Sequence, residues 1–272
     1  MSLQKDPSGR RWIEVEVEVP GTPEEVWQAI ATGPGVSSWF VPTEMHADGT
    51  IVSHFGPGMD SVATRTAWDP PQRFAAESGL GPGAPKMATE WTVEARSGST
   101  CVVRVVHSLF ASTDDWDNQL ESVESGWPTF FAVLRLYLQH FQGSLCTGIH
   151  LLNMTTLQAL EAWNLLAEPF GLAEATEGRR LSAPASGVPA LAGVVEKVGE
   201  AEGGRQIILR LDEPTAGVAI LQAIACGGAS MACVSLYLYG DDAPAVVAKE
   251  EPRWQAWIEE RFPPAADASA ES

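Results

Sequence analysis

Basic residues are scarce in this chain: 17 lysines and arginines stand against 35 aspartates and glutamates in 272 residues, a formal net charge of −18. A surface of that sign repels phosphate backbones and anionic lipid headgroups, so neither nucleic acid nor a membrane is expected as a partner. No apolar run approaches the length of a membrane span, and the opening MSLQKDPSGRR has no hydrophobic core of a signal peptide. A cytoplasmic location is therefore expected. Cysteine is sparse too. Cys101, Cys146, Cys226 and Cys233 include no Cys-x-x-Cys pair and favour reduced, buried thiols over disulfides or zinc. The chain also lacks a Gly-x-Ser-x-Gly elbow, a His-Glu-x-x-His pair, a phosphate loop and a dinucleotide fingerprint, so no cofactor is implied. His46 and His54 flank Asp48-Gly49, but a metal would need a third ligand that the sequence does not supply. Asp114, Asp115 and Asp117 read as charges at a helix start, and Asp241, Asp242, Glu250 and Glu251 as solvated turn and first-turn charges.

What the chain does contain is a strongly patterned beginning. Val15, Val17 and Val19 alternate with Glu14, Glu16 and Glu18, the period of a strand with one wet and one buried face. Pro20 and Gly21 stop it. Thr22 can cap a helix with Pro23 in its first position and Glu24 and Glu25 at the positive end of its dipole. Val26, Trp27, Ile30 and Ala31 form an apolar stripe, and Gly33-Pro34-Gly35 is expected to end this helix before a shorter one carrying Val36, Trp39 and Phe40.

Short strands and turns follow. The segments 43–47 and 50–55 flank Asp48-Gly49 as a hairpin, then come 61–68, 73–78, 88–96 and 101–110. From Asp114 to Gln142 the period changes, with Leu120, Val123, Trp127, Phe130, Phe131, Leu134, Leu138 and Phe141 spaced three and four apart as on one face of a long helix. After Gly143-Ser144 the plan repeats more faintly: a strand at 145–152, a helix over 157–167 capped by Thr155 or Thr156, strands at 188–198, 205–211, 217–225 and 231–239, and a helix over 245–262. The expected domains are 11–143 and 145–263, with residues 1–10 frayed and 264–272 disordered.

The helix start Thr-Pro-Glu-Glu-Val-Trp, the following Ser-Ser-Trp-Phe, the turn Trp-Asp-Pro-Pro-Gln-Arg-Phe at 68–74 and Glu-Ser-Gly-Trp-Pro at 124–128 together resemble the SRPBCC superfamily of START and birch-allergen-like proteins. The pattern is most similar to its subgroup named after the activator homologues of a heat-shock ATPase. The resemblance covers about residues 11–143. It implies an α+β helix-grip fold, in which a curved antiparallel sheet holds a long C-terminal helix with a cavity between them. The second half reads as a divergent tandem copy.

Side-chain parity then nominates the cavity's lining. With Arg104 outward, Cys101, Val103, Val105, His107 and Leu109 face in. With Glu90, Glu94 and Arg96 outward, Thr89, Trp91, Val93 and Ala95 do; with Arg65 outward, so do Val62, Thr64, Thr66 and Trp68. The long helix offers Trp127, Phe130, Phe131 and Leu134, and Trp39 and Phe55 complete the candidate set. Such a lining suits a small hydrophobic or aromatic molecule. His107 is either a general base or a buried histidine bonded to a backbone carbonyl or a neighbouring threonine. The resemblance implies two further readings. One is a metal-free cyclase or dehydratase of polyketide-like substrates, with His107 as base and Thr89, Thr64 or Thr66 as hydrogen-bond partners. The other is a protein-interaction module whose acidic surface engages a chaperone or regulatory partner; a homodimer is a separate expectation.

Overall fold

Valine and glutamate alternation builds the first long strand; the last strand of the N-terminal half pairs with it and the long helix packs across it. The protein is described here by a computed structural model covering residues 3–263 except 57, 80, 82–83, 112, 183–186, 202 and 227. The chain divides into two units, Met1–Gly143 and Ser144–Ser272. The tail at 264–272 lies outside the described residues.

In the first unit, β1 (Gln4–Lys5) and β2 (Arg10–Pro20) are followed by α1 (Pro23–Ile30) and α2 (Gly33–Ser37). A meander of β3 (Thr43–Met45), β4 (Thr50–His54), β5 (Asp60–Asp69), β6 (Arg73–Gly79), β7 (Lys86–Ala95) and β8 (Thr100–Phe110) leads to α3 (Asp117–His140). The sheet order is β1-β2-β8-β7-β6-β5-β4-β3, antiparallel throughout, so the opening strand pairs with the last one. Ile13, Val15 and Val19 of β2 and alternate residues Cys101 to Leu109 of β8 are buried on the face that α3 packs against.

Thr22 caps α1 as a capping box with Glu25. Gly33-Pro34-Gly35 does not end α1 as expected; it starts α2, with the Thr32 hydroxyl accepting from the Gly35 amide at 3.1 Å. Gly35 is required there because a Cβ would come within 2.0 Å of the Gln28 carbonyl oxygen. Residues 3–10 are not frayed either. Gln4 and Lys5 pair with Trp12 and Arg11, and the Asp6 carboxylate accepts from Ser8. The acidic start of α3 has a partner besides the dipole: Asp117 accepts from Lys5 at 2.6 Å and from the buried Arg11 at 2.5 Å, tying α3 to β1 and β2.

The second unit repeats this order with one fewer strand in its meander. It contains β9 (Cys146–Thr155), α4 (Ala159–Ala167), a 3-10 turn at Glu168–Phe170, β10 (Arg180–Leu181), β11 (Ala192–Ala201), β12 (Gly204–Glu213), β13 (Gly217–Cys226), β14 (Ala229–Tyr239) and α5 (Ala243–Arg261). Its sheet runs β10-β11-β12-β13-β14-β9, again closing its first strand onto its last. Both units are therefore helix-grip folds, arranged in tandem. Gln158 rather than Thr155 or Thr156 caps α4, forming its own box with Glu161. Glu250 is not a solvated first-turn charge: it sits mid-helix, 1% exposed, with both carboxylate oxygens 2.9 Å from Arg253. All four cysteines are free, but Cys226 is exposed, contrary to the expectation of uniformly buried thiols. Among the described residues no helix is long and apolar enough to cross a membrane.

Candidate functional site

Between the first sheet, α2 and the middle of α3 lies a hollow of about 350 Å³. Its aromatic wall is built by short-range geometry. Trp39 is fixed just after α2 by its indole N–H, which donates to the Ala29 carbonyl at 2.9 Å. Phe40, next in the chain, stacks on Trp127 with centroids 5.5 Å apart and meets Phe130 edge-on at 4.5 Å. Trp91 of β7 meets Trp127 edge-on at 5.2 Å and stacks on Phe74 of β6. Gly126 also borders the hollow, and a Cβ built there finds nothing within 4 Å. Phe55, 45% exposed, and the exposed Ser61 mark the solvent side.

His107 stands at the buried side, 5% exposed. The Trp127 indole donates to its Nε2 at 2.9 Å, and its Nδ1 lies 2.9 Å from the Thr89 hydroxyl. An indole N–H only donates, so Nε2 must be the bare nitrogen and Nδ1 must carry the proton. Protonating Nε2 would set two N–H groups against each other. Burial alone pulls the His107 pKa down to about 4, so the ring is neutral near pH 7. This leaves no free lone pair for proton abstraction. In this arrangement His107 connects Trp127 to Thr89.

Of the candidates named from sequence, Trp39, Phe55, Thr89, Trp91, His107, Trp127 and Phe130 border the hollow. Val105, Phe131 and Leu134 do not; they are buried in the packed layer between sheet and helix. Thr64, Thr66 and Trp68 are displaced for a different reason. Ser61 and Ala63 line the hollow, which puts Thr64 on the opposite face. Arg65 falls opposite the buried Ala76, against the expectation that it points outward, and its guanidinium lies 4.5 Å from the Trp68 ring. A β-bulge between Arg65 and Ala67 then returns Trp68 to the face of Phe74, at the end of the sheet against Trp27. Sequence reasoning missed Phe40 and Gly126 as wall residues. The available signal was a glycine inside a helical pattern, which lowers helix propensity and invites a local reason.

The two hairpin histidines pair with carboxylates. His54 Nδ1 is 2.8 Å from Asp60, whose hydrogen bond raises the histidine's pKa, and His46 lies 3.2 Å from Glu44. Among the described residues no group of three or more potential ligands is placed to hold a metal ion.

Residues 20–139 match the family model described as "Activator of Hsp90 ATPase homolog 1-like protein". No curated protein matches the chain. Among solved structures, the di-domain ARO/CYC BexL from the BE-7585A biosynthetic pathway is similar over 94% of this chain and 100% of its own, at 13% identity and TM-score 0.46. DynU16, from the dynemicin biosynthetic locus, is similar over 92% and 96%, at 18% identity and TM-score 0.41. The Aha1 dimer from Colwellia psychrerythraea is similar over 48% of this chain and 98% of its own, at 21% identity and TM-score 0.40.

Proposed function

We propose that the first unit, whose residues 20–139 match the Activator of Hsp90 ATPase homolog 1-like family, is a receptor for a small, flat, hydrophobic or aromatic molecule held between its sheet and α3. The observation that carries this reading is the 350 Å³ hollow walled by Trp39, Phe40, Trp91 and Trp127. That volume falls at the lower end of the range for small-molecule pockets, and its mostly apolar wall with a few hydroxyls is their usual composition. Burying a bicyclic hydrocarbon there would remove its surface from water at about 25 cal/mol per Å², enough for micromolar affinity after the costs of association. Binding is preferred to catalysis because both nitrogens of His107 are already engaged.

The test uses the empty space at Gly126. Isothermal titration calorimetry of the full chain with 2-ethylnaphthalene should show one binding site, and Gly126→Phe should abolish it while the thermal midpoint stays within a few degrees. Absence of binding to the unmodified chain, or equal binding to Gly126→Phe, would refute the receptor reading.

A further inference from the structure

Chemistry dictates the direction of each hydrogen bond running from Trp127 through His107 to Thr89. The indole gives its proton to Nε2, Nδ1 therefore keeps the ring's proton, and that proton is given to the Thr89 oxygen. Thr89 thus accepts from His107, and its own hydroxyl proton remains to be placed. The described residues show no second hydrogen bond at Thr89, although its side chain borders the hollow. The contrast with Thr43 is informative. Thr43 donates to the Val41 carbonyl at 2.9 Å and lies 3.0 Å from Ser53, so those two hydroxyls satisfy each other.

A threonine whose oxygen already accepts from a buried N–H keeps its proton and one lone pair, and the proton is the group that has no partner among the described residues. The rotation of its hydroxyl is biased by a neighbour that cannot itself turn, because the imidazole is held at both nitrogens. We infer that Thr89 is a fixed hydrogen-bond donor, which selects among flat apolar ligands those presenting an acceptor, such as a ketone or quinone carbonyl, to the half-buried Thr89 hydroxyl beside His107. This rests on the receptor reading above. The ligand's orientation follows: carbonyl toward Thr89, hydrocarbon along Trp91 and Trp127, and the remainder toward Phe55 and solvent. His107 and Trp127 act as positioning residues in this scheme. A ligand whose polar group can only donate would leave the Thr89 proton without a partner and gain less from this position than an acceptor does.

The experiment compares 2-acetylnaphthalene with 2-ethylnaphthalene on the full chain by isothermal titration calorimetry. In Thr89→Val, which keeps the shape and removes the hydroxyl, the acetyl compound should weaken by roughly tenfold while the ethyl compound is unchanged, since one hydrogen bond is worth about that factor. Thr89→Ser should restore the ratio. Reading the ratio within one variant cancels any general loss of stability. On the unmodified chain, the carbonyl carbon-13 resonance of bound 2-acetylnaphthalene should lie downfield of its position in hexane, as a hydrogen-bonded ketone does. If both compounds bind but their ratio is the same in wild type and Thr89→Val, or the carbonyl resonance stays at its hexane position, the donor role is refuted and the receptor survives. If neither compound binds the wild type, the receptor reading falls and takes this inference with it.

Discussion

The two units share one chain plan and differ in what their C-terminal helices put against the sheet. Both helices contain an internal proline, Pro128 in α3 and Pro252 in α5. Two residues beyond it α3 carries Phe130, half-buried at the edge of a hollow, whereas α5 carries Trp254, fully buried. The partner ring differs in the same sense. Phe40 touches Phe130 edge-on at 4.5 Å, while Phe170 of the second unit stacks on Trp254 at 5.5 Å and also meets Trp257. Trp163, Trp254, Trp257 and Phe170 belong to one continuous buried cluster. The recess found in that unit, about 260 Å³ and lined in part by Val188, Arg253 and Glu260, lies along α5 at the surface. A few large rings thus convert a container into a core. The first unit leaves that space unfilled, which carries the stability cost of an open cavity.

The sharpest way to break this comparison is to remove the rings that define it. Trp254→Ala should destabilise the protein by about 3–5 kcal/mol, and Phe130→Ala by about 1–2 kcal/mol, because a half-buried ring beside open space loses fewer contacts. Urea denaturation of the full chain measures both, and equal losses would remove the distinction between filled and hollow.

Acid should act on both units. His107 in the folded state sits near 4, below its ordinary 6.5, so between those values the unfolded chain binds the extra proton. Stability is therefore complete above about pH 6.5 and declines as pH falls toward 4, by roughly 3 kcal/mol for a full shift of this size. His150 of the second unit is likewise held at about 4 by burial and contributes in the same direction. His107→Gln should shrink the acid loss without abolishing it, as measured by denaturation at pH 4.5 and 7.5. An unchanged slope would show that His107 is not kept neutral by burial.

Smaller effects separate open from closed positions. Gly126→Ala should raise stability by up to about 1 kcal/mol, since a methyl there meets no neighbour and helix propensity favours alanine. A loss would show that the space beside α3 is not open. Thiol labelling should modify the exposed Cys226 quickly and the fully buried Cys101 only on unfolding. Rapid reaction at Cys101 would mean that the grip of the first sheet on its helix opens readily.

Much of this architecture was legible in residue order. Alternation in β2 and β8, the three-and-four spacing of α3, and the Asp48-Gly49 turn each report one local property, namely which face of an element is dry or where the chain reverses. His107 could be assigned inward because every second residue of its strand is apolar and no bulge interrupts the run. β5 defeated the same logic for two reasons. Its bulge inserts a residue that shifts the parity, and Arg65 turns its guanidinium onto Trp68 instead of pointing away from the sheet. Glu250 was misplaced because its Arg253 partner sits one helical turn away, a pairing that composition does not distinguish from two solvated charges. Lys5, which pairs with β2, also reaches Asp114 and Asp117 more than a hundred residues away, a contact that local residue order does not display. The hollow itself was the least readable feature. A cavity is a difference between large volumes, and Phe130 against Trp254 shows that one side chain's bulk helps decide whether space remains.

The most direct measurement is a crystal structure of the full chain grown with 2-bromonaphthalene, located by the anomalous scattering of bromine. A bromine peak in the hollow bounded by Trp39, Trp91 and Trp127, with none inside the cluster around Trp254, is the expected result. An empty first hollow, or bromine within the second unit's core, would contradict the division of the chain into a container and a filled copy.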